Sequence, residues 1–108
     1  MGVPIVVFTS AELDQHLTPF GHPEHPGRLD ASLAGISEAG LLDAVSFRVP
    51  RLATATEINL AHTTRHIDRM RSLSEQGGGE IDGDTFVSTG SWTTATRAVG
   101  AVLDAVDA

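Results

Sequence analysis

Residues 3–8 read VPIVVF, and no other run limits the fold as strongly. The run is apolar at every position, so a strand built from it has two faces to hide. Strands covered on both faces belong to parallel sheets flanked by helices. Leu29, Leu33, Ile36 and Ala39 then recur at helical spacing. They lie between Pro26, which suits a first helical turn, and Gly40, which suits a helix end. Val45–Val49 alternates as a second strand, and Pro50 stops it. Strand 3–8, helix 26–39 and strand 45–49 make a βαβ unit, for which a right-handed crossover is expected. The expected class is α/β with a mostly parallel sheet.

Between the first strand and its helix, residues 9–25 form a loop longer than the ~12–15 residues beyond which loops are usually functional or disordered. Its prolines and large apolar residues argue for order. Thr54-x-x-Glu57 is a capping-box pattern that opens a short helix over 55–61. Thr63 or Thr64 starts a helix over 63–75, with Ile67, Met70 and Leu73 along one side. The Gly77–Gly79 triplet stops it, and 80–90 reads as a second loop. Ser91 is placed to cap a last helix, 91–108, whose apolar face is Trp92, Ala95, Val99, Val102, Leu103 and Val106. This helix is still in phase at Ala108. Two short strands and several one-sided helices need a larger sheet to pack on, so the expectation is an N-terminal part of one domain.

Composition removes several functions. The chain has 108 residues, 41% of them apolar, and a mean hydropathy of +0.02, which is globular composition. It has no Cys, which excludes disulfides and thiolate metal sites. The net charge is −7 and all seven basic residues are Arg. Without a basic patch to neutralise phosphates, nucleic acid is not an expected partner, and neither is an anionic membrane surface. MGVPIVVFTS lacks the basic region and core length of a signal peptide, and no apolar run approaches the ~20 residues of a membrane span. A cytoplasmic location is the expectation.

Residues 18–29, TPFGHPEHPGRL, carry the densest set of functional side chains. His22 and His25, with His16 and help from Asp14 or Glu24, are candidate metal ligands, since zinc needs three or four. The competing reading is that these histidines bond to backbone and hold a Pro-rich turn in shape. His62 and His66 stand at i, i+4, but Thr63 replaces the Glu that an H-E-x-x-H site needs as its base. A cap histidine and a half-buried helical one account for the pair. Glu80, Asp82 and Asp84 alternate like a calcium loop, yet Thr85 and Ser91 occupy the positions that require Gly and Glu. The triple glycine does not satisfy G-x-G-x-x-G, and there is no G-x-S-x-G elbow. From the side chains alone, no complete catalytic set is present.

Taken in order, H-P-E-H-P-G-R-L at 22–29, N-L-A-H-T-x-x-H-I at 59–67 and D-G-D-T-F-V-S-x-G-S-W at 82–92 resemble the N-terminal part of the histone deacetylase superfamily. The class II-like branch is the most similar; it includes bacterial histone deacetylase-like amidohydrolases, acetoin-utilisation proteins and acetylpolyamine deacetylases. The resemblance covers nearly the whole chain. It implies a three-layer α/β/α arginase/deacetylase-like fold and hydrolysis of acetyl-lysine or acetylated amines with one zinc. The family's zinc ligands, paired histidines and Tyr lie C-terminal to the matched region. Asp14-Gln15-His16 spells the family's Asp-x-His, but in the wrong loop. What the resemblance carries over is a tunnel rim, with His22 and Pro23, and a product channel lined by Arg28, whose guanidinium suits acetate. Some animal members hold a second zinc with His and Cys from this loop, to which His16, His22 and His25 correspond; their later Cys position is Gln76 here.

The expectation is thus a segment that shapes substrate entry and product exit, binds no zinc firmly and is inactive alone. Two other readings compete with it. One is a small non-catalytic domain that binds a partner, or itself, through an open sheet edge. The other is a metal-binding module built on His16, His22 and His25.

Overall fold

The computed structural model describes residues 5–108; residues 1–4, and with them the start of the expected strand 3–8, lie outside the described residues. Strand β1 (Ile5–Phe8) pairs in parallel with β2 (Val45–Arg48), in register from Ile5 opposite Val45 to Phe8 opposite Arg48. Side chains alternate across a strand, so Ile5, Val7, Val45 and Phe47 share one face of the pair. Helix α1 (Gly27–Glu38) connects the two strands. Its Leu29 and Leu33 line a groove with Phe47 and Val49. Gly40, at φ +72°, supplies the left-handed residue that ends the helix. The βαβ unit read from the sequence is present.

Thr54 opens α2 (Ala55–Ile58) through a full capping box, its hydroxyl accepting from the Glu57 N–H and the Glu57 carboxylate accepting from the Thr54 N–H. The helix expected over 55–61 is one turn long and relaxes into turns through Ala61. Thr63 caps α3 (Thr64–Glu75), whose Ile67 is buried.

Segment 80–90, read as a loop, contains an antiparallel hairpin of β3 (Gly79–Asp82) and β4 (Thr85–Val87), with an irregular register between Glu80 and Asp82. The Asp82 carboxylate accepts the Asp84 N–H at 2.9 Å and fixes the tip. This bond holds the Asp82 carboxyl below the usual carboxylate range, with Thr85 reinforcing it. Strands of four and three residues around a Gly show too little alternation to stand out in sequence.

Helix α4 (Ser91–Asp107) departs most from expectation. Ser91 is its first residue rather than its cap, and Gly90 holds the cap position. The buried positions are Thr96 and Gly100, not the valines. Residues 50–53 lie across this side of the helix. A Cβ on Gly100 would overlap the Arg51 carbonyl, so only Gly permits the approach. Ala53 N–H donates to Thr96 O at 2.9 Å, and Arg51 N–H donates to Asp104 Oδ2 at 2.9 Å. Polar backbone contacts therefore set the rotation of α4. Val99, Val102 and Val106 are left 38%, 63% and 77% exposed.

The result is a thin slab. Its Cα atoms span 48 × 34 × 17 Å, and layers stack about 10 Å apart, so 17 Å accommodates two layers. Its accessible surface is 7281 Å², whereas a compact 11.3 kDa chain exposes about 5,700 Å². The apolar side chains buried among the described residues are Pro50, Ala53 and Ile67. β1, expected to be buried on both faces, is half-buried, with Ile5 exposed.

Candidate functional site

The long loop after β1 is held in place by a hydroxyl cluster at the start of α4. Ser10 caps a short 3-10 turn, Ala11–Asp14, by accepting from the Glu12 N–H. The chain then crosses the N-terminus of α4. Leu17 N–H donates to Ser88 Oγ at 2.9 Å, and Ser88 Oγ donates to Gln15 O at 3.1 Å. His16 Nδ1 lies 2.6 Å from Ser91 Oγ, which also accepts the Ser88 N–H at 2.7 Å. Gly90 passes so close to Gln15 that a Cβ there would overlap its carbonyl. Ser74, buried in α3, donates to Ser88 O at 2.8 Å and accepts from Trp92 N–H at 3.1 Å. The V-S-x-G-S-W run is therefore a clasp, with Ser88 and Ser91 each making more than one contact and Gly90 permitting the close approach of Gln15.

Further out, the loop is pinned to the hairpin. His22 Nε2 donates to Asp84 O at 2.7 Å, and His22 Nδ1 accepts the Glu24 N–H at 3.0 Å. These two bonds fix a neutral Nε2–H tautomer. The His22 ring also meets Phe86 edge-on, with centroids 5.5 Å apart. Pro23 is exposed at the turn that follows. Pro19–His22 is a tight turn closed by His22 N–H to Pro19 O at 3.0 Å, with Gly21 at φ +84°. It projects Phe20 fully into solvent, at 108% relative exposure. Sequence reasoning did not single out Phe20. The Pro-Phe-Gly pattern, which forces such a turn, was the available signal.

Arg28 sits in the first turn of α1 and pairs with Glu24 at 2.9 Å, with both side chains more than half exposed. It is open to solvent among the described residues. One carboxylate oxygen occupies one guanidinium nitrogen, which leaves donors available for a second anion.

His16, His22 and His25 do not converge. No three His, Cys, Asp or Glu side chains among the described residues are grouped to hold a metal ion. Both ring nitrogens of His22 are engaged with backbone, and His16 is engaged with Ser91. The described residues therefore do not fit a zinc ion, and His22 is bonded to backbone through both ring nitrogens. His62 and His66 stack with centroids 5.0 Å apart. With His16 they border an apolar cavity of about 370 Å³ between α3, the hairpin and α4, walled by Ile67, Met70 and Trp92.

A second cluster ties the ends of the slab together. Arg97 donates to Glu12 Oε2 at 2.8 Å and to Pro50 O at 2.6 Å. Arg51 grips Glu57 through two bonds of 2.7 Å and reaches Asp104 at 3.4 Å. The Arg51 guanidinium, with help from Thr54, holds the Glu57 carboxyl down at about 2, and Glu57 in turn keeps Arg51 firmly charged.

This architecture is found in a solved structure. The HDA15 HD domain superposes with a TM-score of 0.80 over 94% of this chain and 30% of that one, at 24% identity. The fold is thus part of an arginase/deacetylase-like α/β domain. The sequence profile of the histone deacetylase domain matches residues 22–108, and the chain belongs to that family. An uncharacterised protein of Synechocystis is 33% identical over 95% of this chain and 35% of its own length. A probable deacetylase of Methanothermobacter thermautotrophicus is 28% identical over 95% of this chain and 30% of its own length. The chain thus spans about a third of these relatives.

Proposed function

We propose that this chain is the N-terminal segment of a zinc-dependent, deacetylase-like amidohydrolase that removes acetyl groups from acetylated lysine or amines in the cytoplasm. The observation that carries the reading is the match of residues 22–108 to the histone deacetylase domain, which takes in Ser88 and Ser91 of the clasp and the loop from His22 onward. The segment contributes shape and charge rather than the metal centre. His22 and Pro23 form the rim and keep their positions through Asp84 and Phe86. Arg28 offers free guanidinium N–H groups to a departing carboxylate. The zinc, which would polarise the amide carbonyl in the complete enzyme, is held by residues beyond those described.

The test is turnover of an acetyl-lysine reporter and of an acetylated polyamine. The 108-residue chain alone should show none. A chimera joining it to the remaining two-thirds of the Synechocystis relative should hydrolyse at least one of them. In that chimera, Arg28→Ala should lower kcat more than it raises KM, because it acts on product. Zinc-dependent turnover by the isolated chain, or an inert folded chimera, overturns the reading.

A further inference from the structure

We propose that His62 and His66 form a two-imidazole site for a divalent transition metal, copper(II) above all, at the start of α3. The inference is independent of the deacetylase reading and of the zinc that reading invokes. His62 lies in the bend before α3, and His66 lies in the first turn of the helix. Their rings stack with centroids 5.0 Å apart and planes 25° from parallel. Two imidazoles that share one ion through metal–nitrogen bonds of about 2.0–2.1 Å place their centroids about 4.5–5.2 Å apart, for angles at the metal between square and tetrahedral. The pair already has the separation that chelation needs. Turning one nitrogen of each ring toward a common point takes rotation about χ2, which is a broad, soft torsion in histidine.

The backbone holds the pair in place before any ion arrives. Thr63 stands between the two histidines and caps the helix, its Oγ1 accepting the His66 N–H at 3.1 Å. The His62 N–H donates to Ile58 O at 3.1 Å. Both Cα positions are thus fixed by the turn after α2 and the cap of α3, and an ion needs to order only side chains. The histidine rings that hydrogen-bond among the described residues are those of His16 and His22. His62 and His66 are exposed and keep their ring nitrogens free among the described residues.

Two ligands suit copper better than zinc. Zinc sites draw three or four protein ligands, and no third His, Cys, Asp or Glu among the described residues is grouped with this pair. Copper(II) stands at the top of the affinity order for nitrogen sites and accepts a tetragonal set of nitrogen and oxygen ligands, which water can complete. The positive end of the α3 dipole and the neighbouring Arg65 oppose a dication. That opposition acts on every divalent ion alike and leaves the strongest nitrogen binder as the occupant.

The test titrates the untagged 108-residue chain with copper(II) chloride, read by calorimetry and by electron paramagnetic resonance. One ion per chain with two nitrogen ligands is expected, and the urea midpoint should rise when it binds. His62→Ala and His66→Ala should each weaken binding about ten- to a hundredfold, because each forfeits the intramolecular second contact. His25→Ala, which removes a lone exposed histidine, should leave the affinity unchanged. Zinc(II) should bind at least about tenfold more weakly than copper(II). Affinity should fall between about pH 7.5 and about pH 5.5, since protons compete for the imidazoles. Circular dichroism of the variants should match that of the parent, since neither ring is buried. Equal copper affinity in the parent and both single variants overturns the proposal. So does a one-nitrogen spectrum, or an equal loss in His25→Ala. The nitrogen count in the parent chain needs no variant and decides the matter where one fails to fold.

Discussion

At the scale of single residues, three glycines show how position decides a substitution. Gly90 and Gly100 each face a neighbouring carbonyl where a Cβ would sit. Gly90→Ala and Gly100→Ala should each cost about 1–3 kcal/mol through forced backbone shifts. Gly35, in the middle of α1, has nothing within 4 Å of its Cβ position. Gly35→Ala should therefore stabilise by up to about 1 kcal/mol through helix propensity. Urea midpoints for the three variants check both signs at once. Glu57 makes a prediction in pH. Its carboxyl is held at about 2 against 4.5 for a free one. Its pair with Arg51 thus contributes stability that is whole above about pH 4.5 and is lost as pH falls through about 2. The stability gap between the parent chain and Glu57→Gln should be constant near neutrality and close only in strong acid, as urea titrations across that range will show. Phe20 completes this scale. Phe20→Ala should leave stability within about 0.5 kcal/mol, since the ring touches solvent, and should raise KM for a peptide reporter in the active chimera.

At the scale of elements, the clasp explains how a Pro-rich loop stays ordered. Leu17 N–H has Ser88 Oγ as its partner. Ser88→Ala removes that acceptor, and a lost hydrogen bond of this kind is worth about 1–2 kcal/mol. Exchange of the Leu17 amide should rise about tenfold, while amides in α1 should hold. The elements differ in how readable they were. The strand–helix–strand order was legible because apolar spacing, Pro26, Gly40 and Pro50 mark it locally. The hairpin was not, although Asp82-Gly83 is a turn signal of the kind that joins two strands. The clasp was invisible in principle, because His16 meets Ser91 across 75 positions and no local periodicity reports a contact that distant. The rotation of α4 was not legible for a related reason. Periodicity identified the valines as an apolar face correctly, but the contacts from residues 50–53 bury the opposite side.

At the scale of the whole molecule, apolar patterning and burial disagree, and the disagreement is informative. The valines that are apolar by pattern are exposed among the described residues, while the buried side of α4 is polar and small. Val106→Glu, at a position 77% exposed, should change the isolated chain's stability by less than about 0.5 kcal/mol. The same change in a buried valine would leave an unpaired charge and cost several times more. Unfolding of the single variant in urea distinguishes the two. The family resemblance makes His16, His22 and His25 correspond to metal-ligand positions of some relatives. Here the nitrogens of His22 are spent on Asp84 and Glu24 and His16 meets Ser91, while Arg28 pairs with Glu24 through one nitrogen and keeps further donors to offer.

The clasp also has a consequence in time. The loop after β1 leaves the ribosome early, but the residues that hold it are made much later, with Ser91 75 positions after His16. At roughly 5–20 residues per second, translation leaves the loop without its anchor for about 4–15 s. During that interval TPFGHPEHPGRL can keep only its local turns, such as Pro19–His22. A ribosome stalled before residue 88 should carry a nascent chain that a protease cuts readily between residues 15 and 25, and one stalled well past α4 should carry a chain that resists.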